Sequence, residues 1–349
     1  MKKLRAALIG SGGIANICHV PGYLNVADRV EIVALCDIRP EAIDRTRERF
    51  ALNVPGYADY RRMLRSETID VVSVCTPNSV HKSATIAALN AKCHVLCEKP
   101  IATSAVDARA MIRAARKNRR QLMIGQSGRY HAPARAVKRA VDAGMLGEVY
   151  YARAHAIRRR EVPARETFLR KHLSGGGPMY DIGVHMLDLA LWQMGFPKPV
   201  TATGVTATHF GHRHGVIGTW GQWDPKTFEV EDFAVAFVRF ANGATLTLEA
   251  SFASNIDAPV MNVWLLGDKA GADVGHGKIF TEDAGTLWDL KPYGLPPMKG
   301  YLAELEDFVE AIRRGKRVPV PASEALVTQT ILDAVYASAA SGKEVRIRQ

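Results

Sequence analysis

The sequence predicts an α/β protein that contains two sheets of different kinds. Up to residue 125, short apolar runs alternate with helical patterns, which is typical of a doubly wound parallel sheet. After residue 125 the apolar runs lengthen and are separated by turns such as Asn242-Gly243, which favours an α+β part with a large, mostly antiparallel sheet. A chain of 349 residues is long enough for two domains. The predicted domains are residues 1–125 and 126–349, with the terminal helices able to pack back on the first.

The individual elements follow from local patterns. In the first part, strands are predicted at 5–10, 31–36, 70–75, 94–97 and 121–125, and helices at 40–50, 80–89, 104–117 and 132–143. In the second part, strands are predicted at 148–157, 200–208, 233–240, 244–252 and 260–266, and helices at 301–313 and 323–340. Gly144 and Gly147 end the helix that begins at Ala132, because glycine favours helix termini.

Composition and charge exclude several classes of protein. The chain is 47% hydrophobic and 23% charged, as in ordinary globular proteins. The net charge is +11, but the basic residues are scattered, so no nucleic-acid partner is predicted. No apolar run is long enough to span a membrane, and no membrane partner is predicted. The five cysteines form no CxxC pair or zinc pattern, which favours reduced thiols in the cytoplasm.

The stretch "LRAALIGSGGIAN" carries Gly10, Gly12 and Ala15 as G-x-G-x-x-A, between a predicted strand and a helix. That context is typical of a Rossmann dinucleotide-binding turn. Gly10 permits the tight turn, Gly12 lets the backbone approach a pyrophosphate, and Ala15 lets helix and strand pack closely. The helix N-terminus would then attract the phosphates. The alternative is a plain glycine-rich βα turn.

An acidic residue follows the second predicted strand in "EIVALCD". Asp37 stands at the distance from the glycines at which a carboxylate accepts hydrogen bonds from the adenosine ribose. A carboxylate there repels a 2′-phosphate, so NAD is predicted rather than NADP. Arg39 acts against this preference, because a nearby arginine can accommodate the phosphate. The alternative for Asp37 is a turn or helix-cap residue before Pro40.

The run "GGGPMYDIGVHMLDLA", residues 175–190, places Asp181, His185 and Asp188 along one face of an otherwise apolar helix. Ionisable groups in a buried helix are costly unless they are paired, so the stripe is either a structural network or a site. Asp188 is interpreted as structural. In a site, His185 could accept a proton from a hydroxyl group near neutral pH, and Asp181 could orient the imidazole.

Lys99 lies in "CEKP", directly after the fourth predicted strand. Ligands of open α/β sheets bind outside the carboxyl ends of the strands, so this lysine stands where a substrate would react. It could stabilise negative charge on the substrate oxygen. The alternative is a surface lysine in a loop before Pro100.

The motifs together resemble the Gfo/Idh/MocA oxidoreductases. The resemblance rests on "GSGGIA" at 10–15, "EKP" at 98–100 and "GGGPMYDIGVH" at 175–185, supported by "CTPNSVH" at 75–81 and "VKRAVDAGMLGEV" at 137–149. It implies an N-terminal Rossmann domain followed by an α/β domain with an open-faced antiparallel sheet. It also implies that Lys99, Asp181 and His185 are the catalytic Lys, Asp and His.

The resemblance also implies the loops that contact the cofactor and the substrate. The predicted cofactor contacts are Gly10, Gly12, Gly13, Ile14, Asp37, Ile38, Thr76, Pro77, Asn78, His81, Glu98, Lys99 and Gln126. The predicted substrate contacts are Lys99, Arg129, Tyr130, Arg158, Asp181 and His185. In "GQSGRYHAP", Gly128 replaces a basic residue that many family members carry, which puts the contacts at Arg129 and Tyr130 in doubt.

The expected activity is hydride transfer between NAD(P) and a secondary alcohol of a sugar, glycoside or inositol, with glucoside 3-dehydrogenation as one form. The alternatives are a glycosidase that uses transient oxidation with tightly held NAD, and a non-catalytic nucleotide-binding regulator. No metal is predicted, although "THFGHRHG" carries three histidines, His209, His212 and His214. Trp220 could stack on a sugar ring, pack in the core or contact another subunit. An open sheet favours a homodimer or homotetramer.

Overall fold

The computed structural model describes residues 2–297 and 300–348, which divide into two compact units. The first unit runs to Tyr130 and resumes from Gly300 to Leu326. The second unit comprises His131–Pro297 and resumes at Val327. The predicted division at residue 125 stays a prediction about domains, since compactness alone does not define them.

The helices are α1 Val20–Asn25, α2 Pro40–Phe50, α3 Tyr60–Ser66, α4 Asn78–Asn90, α5 Ala105–Asn118, α6 Ala132–Asp142, α7 Glu166–Leu169, α8 Lys171–Ser174, α9 Val184–Gln193, α10 Gly300–Arg313 and α11 Ala322–Ser341. The six helices for which the sequence predicts bounds, α2, α4, α5, α6, α10 and α11, begin and end close to those positions, whereas α1, α3, α7 and α8 were not predicted. Helix α5 begins where the Ser104 side chain accepts a hydrogen bond from the Asp107 amide at 3.2 Å. Short π-helical segments at Ala15–His19 and Met179–Gly183 precede α1 and α9.

The first unit is built on a six-stranded parallel sheet, which confirms the predicted fold class. Its strands are β1 Leu4–Ile9, β2 Val30–Cys36, β3 Gly56–Tyr57, β4 Val71–Val74, β5 His94–Cys97 and β6 Leu122–Ile124. They lie in the order β3-β2-β1-β4-β5-β6, in which the direction of winding reverses between β1 and β4. Residues Val71–Val74 are all buried, as expected for a strand covered on both faces. In such a sheet the ligand lies outside the carboxyl ends of the strands at the reversal.

The second unit contains a nine-stranded sheet. Its strands are β7 Val149–Ile157, β8 Pro199–Ala207, β9 Phe233–Phe240, β10 Thr245–Ser251, β11 Val260–Gly267, β12 Ala270–Asp273, β13 Lys278–Asp283, β14 Thr286–Leu290 and β15 Val345–Arg346. They lie in the order β14-β13-β12-β11-β7-β10-β9-β8-β15, and the pairs are antiparallel except for β7 with β10. This confirms the predicted mostly antiparallel sheet. The predicted Asn242-Gly243 turn joins β9 to β10, with φ +88° at Gly243.

One face of the second sheet is covered by helix α9, which packs on β7 and β11. In β7, Ala152, Ala154 and Ala156 are buried, and the residues between them are more exposed. This alternation is expected when a sheet is covered on one side. Within the described part of the chain, no helix combines the length and the hydropathy that crossing a membrane requires.

Candidate active site

Two glycines after β1 have different local surroundings. Gly10 has φ +98°, and a Cβ there would lie 2.5 Å from the Cys75 carbonyl oxygen. Gly12 has no atom within 4 Å of the position that its Cβ would occupy. Gly10 is therefore required by the turn itself. The open space beside Gly12 leaves the backbone accessible to a ligand, as a pyrophosphate site requires.

Two buried hydroxyl groups lie at the same edge of the sheet. The oxygens Ser11 Oγ and Thr76 Oγ1 are buried and have no hydrogen-bond partner among the described residues. Ser11 follows β1 and Thr76 follows β4, the two strands between which the winding reverses. Buried hydroxyl groups are usually hydrogen-bonded, so these two fit a site that a polar ligand completes. The residues present therefore fit a dinucleotide.

Asp37 is held in place at the end of β2. Its carboxylate accepts hydrogen bonds from the backbone amides of Ser11 at 2.9 Å and Arg39 at 3.0 Å. The Arg39 side chain is 64% exposed, with its Nε 3.6 Å from the carboxylate. Each carboxylate oxygen retains a lone pair for a ribose hydroxyl. Beside it, Ile38 is 84% exposed.

The loop after β4 is braced by His81. This side chain is 1% exposed, and its ring nitrogens lie 2.8 Å from the Pro100 carbonyl oxygen and 3.0 Å from the Thr76 carbonyl oxygen. Burial lowers the pKa of His81 despite these two carbonyl groups. Pro77 precedes α4, which begins at Asn78. His81 thus connects the loops after β4 and β5, and its contact with the cofactor stays a prediction.

Glu98 is held by a buried network that sequence analysis did not predict. Its Oε1 lies 2.9 Å from His19 Nε2, and His19 Nδ1 lies 2.9 Å from Ser73 Oγ. The Tyr23 hydroxyl lies 2.8 Å from the same serine oxygen. Burial alone raises the pKa of Glu98, but the hydrogen bond and charge of His19 and the charge of Lys99 outweigh it and hold the pKa below its usual value. His19 is the last residue of the π-helical segment that follows the glycine turn. This position is the only feature of the sequence that marks His19.

Lys99 and Gln126 follow β5 and β6. The Lys99 side chain is half-buried, and its backbone amide donates to Glu98 Oε2 at 3.1 Å. Gln126 is buried, and its amide donates to the Glu304 carboxylate of α10 at 2.6 Å. Both residues therefore lie at the carboxyl edge of the parallel sheet, as the sequence predicts for ligand contacts.

In the helical stretch that follows Gly175, only two polar side chains are not fully buried. Between Gly176 and Leu191, every residue is buried except Asp181 and His185. Asp188 is 1% exposed, in keeping with the structural role inferred from sequence. Asp181 lies in the π-helical segment, and His185 lies in the first turn of α9. The helix therefore leaves these two ionisable groups partly accessible to solvent.

The glycines of this run allow close contact with buried groups. A Cβ on Gly176 would lie 2.1 Å from the Tyr336 hydroxyl oxygen, and one on Gly177 would lie 2.0 Å from the Glu231 carbonyl oxygen. The Glu231 carboxylate accepts hydrogen bonds from the Gly177 amide at 2.9 Å and from the Tyr336 hydroxyl at 2.6 Å. Burial raises the pKa of Glu231 even though these bonds act against it. Neither Glu231 nor Tyr336 was predicted, because both are distant in sequence.

Arg158 connects the predicted acid/base helix to an aromatic side chain. Its Nη1 lies 3.7 Å from Asp181 Oδ2, and its guanidinium carbon lies 4.2 Å from the centre of the Trp220 ring. Burial lowers the pKa of Arg158, and the charge of Asp181 acts against this. The contact with Asp181 places Arg158 beside the predicted acid/base pair, and its contact with the substrate stays a prediction.

Arg129 and Tyr130 lie inside the first unit. Arg129 is 3% exposed and pairs with Glu324 at 2.5 Å, and Tyr130 is 1% exposed. Their burial favours a structural role over direct contact with a substrate, and the predicted contact stays a prediction.

The histidine-rich loop is organised by Asp232. That carboxylate accepts hydrogen bonds from the amides of His209, Phe210 and Gly211 at 2.6–2.9 Å. His212 Nε2 lies 2.9 Å from the Phe228 carbonyl oxygen. Across residues 2–297 and 300–348, no three His, Cys, Asp or Glu side chains are grouped so that they could hold a metal ion.

Comparison with known proteins identifies the family. Residues 4–126 match its NAD-binding Rossmann fold, and residues 138–347 match its C-terminal α/β domain. The chain belongs to the Gfo/Idh/MocA oxidoreductase family. It is therefore an oxidoreductase whose first unit has the NAD-binding Rossmann fold.

Three similar proteins are informative. D-Glucoside 3-dehydrogenase of Escherichia coli strain K12 is 37% identical over 346 residues, which cover 99% of this chain and 97% of the relative. The aldose-aldose oxidoreductase of Caulobacter crescentus, complexed with glycerol, is 27% identical with a TM-score of 0.81, over 99% of this chain and 100% of that chain. Levoglucosan dehydrogenase in complex with NADH and levoglucosan is 23% identical with a TM-score of 0.85 over 100% of both chains, a likeness of fold alone.

Proposed function

We propose that the protein is an NAD(P)-dependent dehydrogenase that oxidises a secondary alcohol of a sugar, with the 3-hydroxyl group of a glucoside as the preferred position. The observation that carries this proposal is that Asp181 and His185 alone keep partial contact with solvent in a stretch that is otherwise buried from Gly176 to Leu191. A carboxylate and an imidazole one helical turn apart, both partly accessible, suit proton transfer with a bound hydroxyl group. The full-length similarity to a D-glucoside 3-dehydrogenase supports the substrate class.

In the proposed reaction, His185 accepts the proton of the substrate hydroxyl group. Asp181 orients the imidazole or shares the proton path. Lys99, following β5, donates a hydrogen bond to the substrate oxygen and stabilises the negative charge that develops there. NAD supplies the hydride acceptor when it is bound. Lys99 belongs to the first unit and the other two residues to the second, so their joint action is part of the proposal.

The cofactor is proposed to bind at the carboxyl edge of the first sheet. Gly12 lets the pyrophosphate approach, and the ends of β1 and β4 contribute the two hydroxyl groups without partners, Ser11 Oγ and Thr76 Oγ1. Asp37 accepts hydrogen bonds from the ribose, and its carboxylate disfavours a 2′-phosphate, which supports NAD over NADP. The proposed contacts are those predicted from the sequence, with His81 acting through the loops that it braces.

A substrate panel tests the proposed activity. The purified protein is incubated with NAD or NADP and with glucose, methyl glucosides, glucose disaccharides or inositols, and each mixture is assayed for NADH or NADPH absorbance and for cleavage of the glycosidic bond. Reduction of NAD with a glucoside and formation of a 3-keto glycoside are expected. Bond cleavage without net NADH would indicate the oxidation-assisted glycosidase instead. Binding of NAD without turnover of any sugar would indicate the regulator.

We also propose that the protein forms a homodimer or homotetramer. The second sheet carries half-exposed apolar side chains, among them Val205 and Met261, which are 54% and 43% exposed. Exposed apolar patches on a sheet favour association with a partner. Light scattering at micromolar concentration measures the mass, and a monomer would contradict this expectation. The cytoplasmic location stays a prediction.

A further inference from the structure

A second feature lies beside Asp181, on the loop that carries Trp220. The indole ring is 55% exposed, and one face of it contacts the guanidinium group of Arg158 at 4.2 Å. That guanidinium group also lies 3.7 Å from the Asp181 carboxylate. One side chain therefore separates the proposed acid/base pair from a large exposed aromatic surface. A ligand that reaches Asp181 can reach Trp220 by extending across one guanidinium group.

The loop that presents Trp220 is anchored to the end of β7. The Thr219 amide and hydroxyl donate to the Arg160 carbonyl oxygen at 2.9 and 3.0 Å. Gly221 has φ +118°, and a Cβ on Gly218 would lie 2.3 Å from the Gly221 carbonyl oxygen. The loop thus holds a defined turn, and its exposed tryptophan stands on an ordered backbone. Pre-organised aromatic groups of this kind suit ligand binding, because little conformational entropy is lost on contact.

Ile217, three residues before Trp220 on the same loop, borders a cleft of about 650 Å³. The cleft is lined by Arg159, Arg160, Ile217, Asn255, Ile256 and Asp257. Arg160 Nη1 donates to the Ser254 carbonyl oxygen at 2.8 Å, and Arg159 Nη1 donates to the Asp257 carbonyl oxygen at 3.1 Å. These bonds hold the two arginine side chains against the segment from Ser254 to Asp257, which forms the opposite wall of the cleft. Ile217 is 73% exposed at its edge.

We propose that Trp220 and this cleft form a subsite for the second sugar ring of a glycoside, beyond the ring that is oxidised. A pyranose ring presents an apolar C–H face, which suits the indole, and hydroxyl groups, which suit the guanidinium, amide and carboxylate groups of the cleft. The mixture of apolar, cationic and anionic side chains favours a neutral amphipathic ligand over a phosphate. This inference rests on the proposed function, and it makes disaccharides and related glycosides better substrates than free sugars or inositols.

Steady-state kinetics on two substrates test the subsite. The wild-type protein is expected to show a lower KM for a β-linked glucose disaccharide than for methyl β-glucoside. Trp220→Ala is expected to lower kcat/KM for the disaccharide about tenfold, through KM, which corresponds to about 1.4 kcal/mol. Methyl β-glucoside, which has no second ring, is expected to change at most about twofold. Trp220→Phe, which keeps a ring, is expected to restore most of the loss.

Trp288→Ala is the matched control, because Trp288 is 49% exposed on β14 and lies outside the proposed subsite. It is expected to match the wild type on both substrates. Equal losses on both substrates in Trp220→Ala, or no loss on either, would overturn the proposal. Calorimetric titration of the disaccharide into wild-type and Trp220→Ala protein with NADH in place of NAD measures the subsite without turnover. If no sugar is oxidised, the proposed function fails; if sugars are oxidised but Trp220→Ala affects both alike, only the subsite fails.

Discussion

Two helices of this molecule follow glycine-rich turns and begin with a π-helical segment, but their histidines have different surroundings. His19 ends the segment Ala15–His19, is 1% exposed, and has both ring nitrogens within 2.9 Å of polar side chains. His185 follows the segment Met179–Gly183 and is one of two residues in its stretch that are not buried. Similar local motifs can therefore hold a histidine as a buried structural brace or leave it partly accessible to solvent.

The largest expected effect is a loss of activity when His185, rather than His19, is replaced. His185→Ala is expected to lower kcat by about 10²–10⁴, because a positioned acid/base contributes a factor of that size. Binding of NAD, measured by fluorescence titration, is expected to stay at the wild-type level, since the substitution lies in the second unit. Lys99→Met is expected to lower kcat comparably. His172→Ala is the control, because His172 is 70% exposed, and near-normal turnover in His185→Ala would break the proposed mechanism.

Substitutions of the two glycines that precede His19 are expected to have different effects, one on NAD binding and the other on stability. Gly12→Ala is expected to fold normally but to weaken NAD binding by about tenfold or more, because the methyl group enters the space that a pyrophosphate would use. Gly10→Ala is expected to lower the free energy of unfolding by about 1–3 kcal/mol, because φ is +98° and the Cβ would contact Cys75. Calorimetric titration and denaturant unfolding measure the two effects. An equal loss of stability in both variants would contradict this division.

His19 itself is expected to act mainly on stability. His19→Ala removes the partners of Ser73 and Glu98, and it is expected to lower the free energy of unfolding by about 1–3 kcal/mol. His19→Gln, which can still donate to Glu98, is expected to recover part of that loss. Denaturant unfolding measures both variants. If kcat fell as far in His19→Ala as in His185→Ala while the fold remained intact, the two histidines would not differ in the way proposed.

The smallest expected effect concerns pH. Burial lowers the pKa of His94 to about 4, and the backbone amide of Gln121 donates to His94 Nδ1 at 3.0 Å, a bond that protonation would break. The unfolded chain binds this proton near pH 6.5, so stability is expected to fall as the pH drops from about 6.5 towards 4. His81, whose pKa is also lowered, acts in the same direction. His94→Asn keeps an acceptor without titrating, so its Tm is expected to fall less between pH 7.5 and 5 than that of the wild type.

Elements buried on both faces were easy to predict. Strand β5 has its predicted bounds, and β4 is buried at every position and apolar except for Ser73, because a parallel sheet that is covered on both faces favours hydrophobic residues. An edge strand of each sheet was missed. In the second sheet, β14 is exposed at every position and has no alternation for a pattern to detect, and in the first sheet β3 has only two residues. The sequence signal weakens where burial is absent.

The residue types and their order along the chain were enough to predict the glycine turn, the carboxylate after β2, the lysine after β5 and the polar stripe from Asp181 to His185, since each depends on a short period or on the end of a strand. Contacts between residues that lie far apart in sequence were decided only by the tertiary structure. Glu98 contacts His19 across 79 residues, and Glu231 contacts Gly177 across 54. Local pattern cannot encode such pairs, because which distant side chains meet depends on how helices and sheets pack. The same packing leaves His185 partly accessible to solvent and buries His19.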